Sequence, residues 1–163
     1  MQDNTTQKLT SLDPSSHMQS FDIASKVKDL KEQLKHCDDP YIKCTLEADE
    51  QKEIILTCWR PNCGSHIHNH GKSCGKILVV EGGIIEEVYK YCPQEKMTSL
   101  SKQVFKPNET LEVTPVNFHS MASIDQETTT LHVYSPGIDN MMVYNNDTQK
   151  LESVDGSEVA QCT

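Results

Sequence analysis

The sequence predicts an all-β protein, a double-sheet barrel or jelly roll preceded by one short helical region. Two observations carry this expectation. Beyond Asp39 and Pro40 the 163-residue chain breaks into short runs rich in Val, Ile, Thr and Tyr, separated at regular intervals by Gly, Pro, Asn and Asp. Ahead of that boundary, only the segment 19–36 has helical texture, with Phe21, Val27, Leu30 and Leu34 at near-helical spacing among lysines and acids. Ser20 or Asp22 can cap its start, and its apolar stripe suits packing on a sheet.

Seven strands are expected, each closed by breakers. The run 41–47 follows Pro40 and ends in the acidic loop of Glu47, Asp49 and Glu50, and the run 53–59 ends at Arg60 and Pro61. The runs 76–80 and 83–91 meet at Gly82 and Gly83, a hairpin turn in which positive φ is open to glycine. The runs 110–113, 128–134 and 141–144 complete the set, the second closed by Ser135, Pro136 and Gly137. Residues 19–145 are read as one domain, between a flexible N-terminal tail over 1–18 and a polar C-terminal tail over 146–163.

Charge and cysteine usage exclude several functions. With 24 acidic against 15 basic residues and a net charge of −9, the chain does not suit a general nucleic-acid or anionic-membrane binder, so a small partner is expected. The N-terminal stretch has no charged-then-apolar leader, and no apolar run approaches the ~20 residues that span a bilayer. A cytoplasmic monomer is the resulting expectation. Seven cysteines form an odd set without framework spacing, which favours reduced thiols. Cys58, Cys63, Cys74 and Cys92 with the histidines can compose a structural zinc site, but no CxxC pair supports it.

The strongest functional signal is the run Gly64-Ser65-His66-Ile67-His68-Asn69-His70, followed by Gly82 and by His119 on a later strand-like stretch. Histidines at i and i+2 on a strand share a face, so His68 with His70, or His66 with His68, can converge on one ion. A third imidazole from another strand completes a facial cap. Three neutral nitrogens suit a first-row divalent metal that keeps open positions, which catalysis needs and structural zinc sites avoid.

Together these residues resemble the two metal motifs of the cupin superfamily, whose double-stranded β-helix is a small jelly-roll barrel. His68 and His70 fill His-x-His, Gly75 stands where a glutamate is usual, Gly82 closes the first motif, and Pro115-Val116-Asn117-Phe118-His119 matches the second. The missing carboxylate resembles the thiol dioxygenases, particularly the cysteine dioxygenase family. Local strings agree: Ile55-Leu56-Thr57-Cys58-Trp59 before the histidine run, and Thr130-Leu131-His132-Val133-Tyr134-Ser135-Pro136 after it.

The resemblance implies Fe(2+) held by His68, His70 and His119, with His132 and Tyr134 as catalytic partners outside the ligand set, Tyr134 near bound oxygen, and Thr130 where a serine is common. Cysteine-specific members hold the substrate carboxylate with an arginine where this chain has Lys43. A lysine pairs with a carboxylate but lacks the bidentate fork, and Arg60, the chain's sole arginine, is the other candidate. Gly75 also occupies the position of a cysteine that joins the tyrosine by a thioether in animal enzymes, with Cys74 one residue early, so no crosslink is expected.

The implied reaction takes a small thiol, L-cysteine or a related mercapto acid, and O2 to a sulfinic acid. A metal with three neutral ligands retains its full charge and deprotonates a coordinated thiol outright. Two other readings stay open: a cupin metalloenzyme of another class, an isomerase or a carbon-cleaving dioxygenase, and a non-catalytic metal- or ligand-binding cupin.

Overall fold

Strand β2 (Glu53–Trp59) is buried along its whole length, and that double burial organises the molecule. The structure is a computed structural model that describes residues 12–94 and 96–155. In β2, Ile55, Thr57 and Trp59 face the barrel interior, while Ile54, Leu56 and Cys58 face outward and need a cover. Helix α1 (Ile23–Lys35) supplies it through Ile23, Leu30 and Leu34, joined by Leu12 from the preceding segment. A continuous apolar strand is therefore the signature of a sheet covered on both faces.

Five strands form the first sheet. β1 (Tyr41–Ala48), β2, β3 (Cys74–Glu81), β6 (Thr110–Val113) and β8 (Thr128–Ser135) lie in the order β1-β2-β8-β3-β6. All neighbours are antiparallel, so residues far apart in sequence come into register: Ile55 opposite His132, and Gly75 opposite Tyr134. The opposing wall has β5 (Lys96–Phe105), β4 (Ile84–Cys92) and β7 (Phe118–Ser123) in the order β5-β4-β7, and the hairpin of β9 (Asn140–Asn145) with β10 (Lys150–Asp155). The histidine run stitches these pieces together: His68 bridges to His119 on β7 and to Val143 on β9. Between the two walls lies a core that includes Trp59, Ile77, Val79, Ile84, Phe105, Leu111 and Met121.

Asp22 caps α1 by accepting the Ser25 amide at 3.2 Å. The helix ends at Lys35, and the Arg60 guanidinium donates to the carbonyl of Leu34 in its last turn and to those of Cys37 and Asp39 just beyond it. Gly82 turns the β3–β4 hairpin with φ +83°, where a β-carbon would lie 2.3 Å from Thr128 Oγ1. Among the described residues, no helix is long and apolar enough to cross a membrane.

All seven expected strands are present, and three more appear. β5 escapes hydrophobic patterning because it is an edge strand with nearly every residue exposed, Leu100 and Val104 among them. β7 carries polar residues on its buried face, including His119. β10 pairs only with β9.

Both expected tails hold folded residues as well. β10 lies within 146–163, and Leu12 and the 3₁₀ turn Pro14–His17 pack on the domain within 1–18; the remainder of those tails, 1–11 and 156–163, lies outside the described residues. Leu12 is an isolated apolar residue in a polar stretch, and its burial at 3 % exposure against the α1 cluster extends the domain toward the N-terminus.

Candidate metal centre

His68, His70 and His119 converge, each offering one ring nitrogen, with those atoms within 4.8 Å of one another. Their ring centroids are 4.8, 4.8 and 4.9 Å apart, and all three residues are buried. Backbone pairing produces this convergence: His68 and His119 exchange both N–H···O bonds at 2.9 Å, which places them directly opposite in an antiparallel pair. His70 follows two residues later, just past that isolated bridge, with its ring 4.8 Å from that of His68.

Hydrogen bonding on the far edges fixes which nitrogens are left to ligate. His68 Nδ1 lies 2.7 Å from the His66 carbonyl, which can only accept, so Nδ1 carries the proton and Nε2 the lone pair. His119 Nδ1 lies 2.6 Å from Glu86 Oε1, and its Nε2 is buried with no hydrogen-bond partner. The Nδ1 of His70 is likewise without a partner, while its Nε2 lies 3.5 Å from the Tyr134 hydroxyl. Buried imidazole nitrogens left unpaired are costly unless something occupies the space they face, so this donor set fits a divalent metal ion.

Beside the histidines lies a cavity of about 60 Å³ whose walls include Tyr41, Lys43, Thr57, Met121, Ile138 and Met141. Along one wall runs a chain of hydrogen bonds. Trp59 Nε1 donates to Thr130 Oγ1 at 2.8 Å, Thr130 Oγ1 is 2.7 Å from His132 Nε2, and His132 Nδ1 is 2.9 Å from the Tyr134 hydroxyl. Thr130, His132 and Tyr134 alternate along β8 and therefore share its inner face. The Tyr134 ring stacks on His70 at 5.0 Å and lies against Gly75, where a β-carbon would come within 2.4 Å of Tyr134 Cδ1. With the ring so placed, position 75 has no room for either a carboxylate ligand or a crosslinking cysteine. Cys74, one residue earlier, packs against the other cluster, the one beneath α1.

The comparisons with known proteins bear directly on this geometry. A model of the family described as cysteine dioxygenase type I matches residues 22–147. The chain belongs to the cysteine dioxygenase type I family. Among solved structures it is similar to a conserved protein with a double-stranded β-helix domain from Klebsiella pneumoniae, at 12% identity over 70% of this chain and 92% of that one with a TM-score of 0.54. It is also similar to the cupin domain of Schizosaccharomyces pombe Cnp3, at 10% identity over 63% and 71% with a TM-score of 0.51. An oxalate oxidase bound to the substrate analogue glycolate matches at 12% identity over 69% of this chain and 61% of its own, with a TM-score of 0.54. At these identities the likeness establishes the fold, a cupin barrel.

As a member of the cysteine dioxygenase type I family, the chain carries Lys43 and Arg60 as sequence-based candidates for a substrate anchor, and the structure separates them. Lys43 lies on β1 opposite Thr57, and both residues line the cavity. Arg60 is spent on the carbonyls at the end of α1 and just beyond it, and is not among the cavity-lining residues. A loop arginine after a strand looks available in sequence; only the fold places a helix end within its reach. His66, read as a rival ligand, contributes its carbonyl to His68, and its ring is outside the three-histidine group.

Glu86 is the residue that sequence reading missed. It sits in Glu86-Glu87, which looks like a solvated pair, and Glu87 does reach Lys102 at 3.5 Å on the outer face. Period-two alternation from the fully buried Ile84 is the signal that could have found it, since it turns Glu86 inward.

Burial also sets the charge state of the site. It pushes the imidazolium pKa of His68 down to about 3, helped by His119, and that of His132 to about 3, helped by His119 and Lys43. His70 is lowered well below the usual histidine range by burial and by His68 and His119, while burial raises the Tyr134 phenol far above its ordinary value.

These shifts give a stability prediction. A depressed folded-state value favours the folded protein above the unfolded value near 6.5, and that advantage is lost as pH falls through 6.5 toward 3. At pH 5 the metal-free protein is expected to lose about 2 kcal/mol for each of His68 and His132 relative to pH 7. Urea midpoints at the two pH values check this, and equal midpoints would contradict it.

Proposed function

We propose that the protein is a non-haem iron(II) thiol dioxygenase that converts a small thiol, L-cysteine or a related mercapto acid, and one O2 into the sulfinic acid. The observation that carries this reading is the set of three buried imidazoles, with no carboxylate among them, facing a small cavity beside Tyr134 in a chain of the cysteine dioxygenase type I family. Ferrous iron held by His68, His70 and His119 supplies thiolate coordination and the one-electron route that ground-state dioxygen requires.

The protein's own groups do the rest. Lys43 pairs with the substrate carboxylate and so sets which end of the molecule meets the histidines. Thr130 directs its hydroxyl proton to His132 Nε2, His132 Nδ1–H donates to the phenol oxygen, and the Tyr134 hydroxyl proton is then free to point into the cavity. There it stabilises negative charge that develops on oxygen during transfer to sulfur. The apolar walls formed by Met121, Ile138 and Met141 limit water around the reacting atoms.

Lys43→Ala is expected to raise KM for a carboxylate-bearing thiol roughly ten- to a hundredfold, the worth of one hydrogen bond to a charged group, with little change for cysteamine. Arg60→Ala is expected to leave KM unchanged and lower the thermal midpoint, because the carbonyls at the end of α1 and just beyond it lose their donor. Unchanged KM in Lys43→Ala would remove the lysine from the anchoring role. Oxygen uptake tests the reaction class: uptake by the iron-loaded protein should depend on added thiols, and uptake with diketones instead would favour a carbon-cleaving cupin.

A further inference from the structure

The cupin pattern usually has a carboxylate ligand where this chain has Gly75, yet a carboxylate still reaches the ligand set from behind. Glu86 Oε1 lies 2.6 Å from His119 Nδ1, and both side chains are buried. In the β4–β7 pairing, Glu86 is opposite Met121 and Val88 is opposite His119. Glu86 therefore meets His119 along the diagonal of the ladder, a reach that a long side chain can make. At 2.6 Å the contact is slightly shorter than the ~2.7–2.9 Å usual for charge-assisted N–H···O bonds.

Behind the rings is a second cavity of about 60 Å³, lined by His70, Glu86, Val88, Asn117 and His119 among others. Glu86 does not line the cavity that holds Tyr134 and Lys43, so it can act on substrate only through His119. The other ligands are held differently: His68 by the neutral carbonyl of His66, and His70 by the Tyr134 hydroxyl, 3.5 Å from its Nε2, so neither has a carboxylate behind it.

We infer that Glu86 is a positioning residue of the metal centre, whose carboxylate holds the Nδ1–H of His119, aims Nε2 at the space shared with His68 and His70, and returns to the site the negative charge that Gly75 cannot supply. A carboxylate behind a ligating imidazole fixes its tautomer and increases its basicity, which strengthens metal binding and favours the oxidised metal. The inference rests on the proposed three-histidine centre, but not on any thiol substrate.

Cobalt(II) titration of the full chain, followed by the visible ligand-field spectrum, tests it on Glu86→Gln, Glu86→Ala and His119→Ala. Glu86→Gln keeps the shape and an accepting oxygen but removes the charge, so it is expected to bind cobalt about tenfold more weakly. Glu86→Ala is expected to lose about a hundredfold, the upper end for a partner behind a ligand. The iron(III)/iron(II) midpoint of Glu86→Gln should move to more positive potential, a shift that a merely structural glutamate would not produce. If Glu86→Ala does not unfold cooperatively in urea, Glu86→Gln alone decides.

Wild-type affinity, spectrum and potential in folded Glu86 variants, with His119→Ala unable to bind, would overturn the role of Glu86 and leave the metal centre standing. Wild-type cobalt binding by His119→Ala would instead overturn the centre itself, and the role of Glu86 with it.

Discussion

Replacing His119 with alanine is expected to abolish metal retention and thiol oxidation together while leaving the barrel folded. His119 is one of three histidines whose ring nitrogens converge, and its Nε2 is buried with no hydrogen-bond partner. Two remaining imidazoles cannot cap a face of the ion, so the loss should exceed the ~100-fold that removal of a partner behind a ligand can cost. Strand β7 should persist, because its flanking residues Phe118 and Met121 are buried and its ladder to β4 is made by backbone. Metal analysis of purified His119→Ala beside wild type checks this; normal metal content in the variant would refute the three-histidine assignment.

Tyr134→Phe is expected to keep the metal and slow turnover by roughly 5- to 10³-fold, a loss of about 1–4 kcal/mol of barrier stabilisation for one hydrogen bond to developing charge. The phenyl ring retains its stacking on His70 and its seat against Gly75, so metal binding should survive. His132 Nδ1 loses its partner, which adds a stability cost of about 1–3 kcal/mol. The predicted kinetic signature is a fall in kcat with KM for the thiol nearly unchanged, since the proposed carboxylate anchor, Lys43, is untouched. Full activity in Tyr134→Phe would reduce the tyrosine to packing.

Much of this site is legible in one dimension because its parts follow local periods. His68 and His70 are two apart, and Thr130, His132 and Tyr134 alternate along one strand, so residue order alone places each set on a shared face. Convergence with His119 is a long-range event, made by the bridge of His68 to β7; residue spacing suggests a third imidazole from another strand, and the motif resemblance assigns it to His119. The less legible parts have physical causes. β5 has no buried face to leave a pattern, and β7 buries polar residues where apolar ones would advertise a core. Glu86 was hidden by an adjacent glutamate on the opposite face, and Arg60 looks available in sequence because the helix end it binds is brought near only by folding.

The most direct test of the central claim is mass spectrometry of products formed when anaerobically iron-loaded protein is exposed to ¹⁸O₂ with L-cysteine, 3-mercaptopropionate, cysteamine or bulkier thiols. A sulfinate carrying two labelled oxygen atoms from one of the small thiols, above a free-iron control, is the predicted product. Disulfide alone, or no oxidation beyond that control with any thiol, would contradict the assignment of this cupin as a thiol dioxygenase.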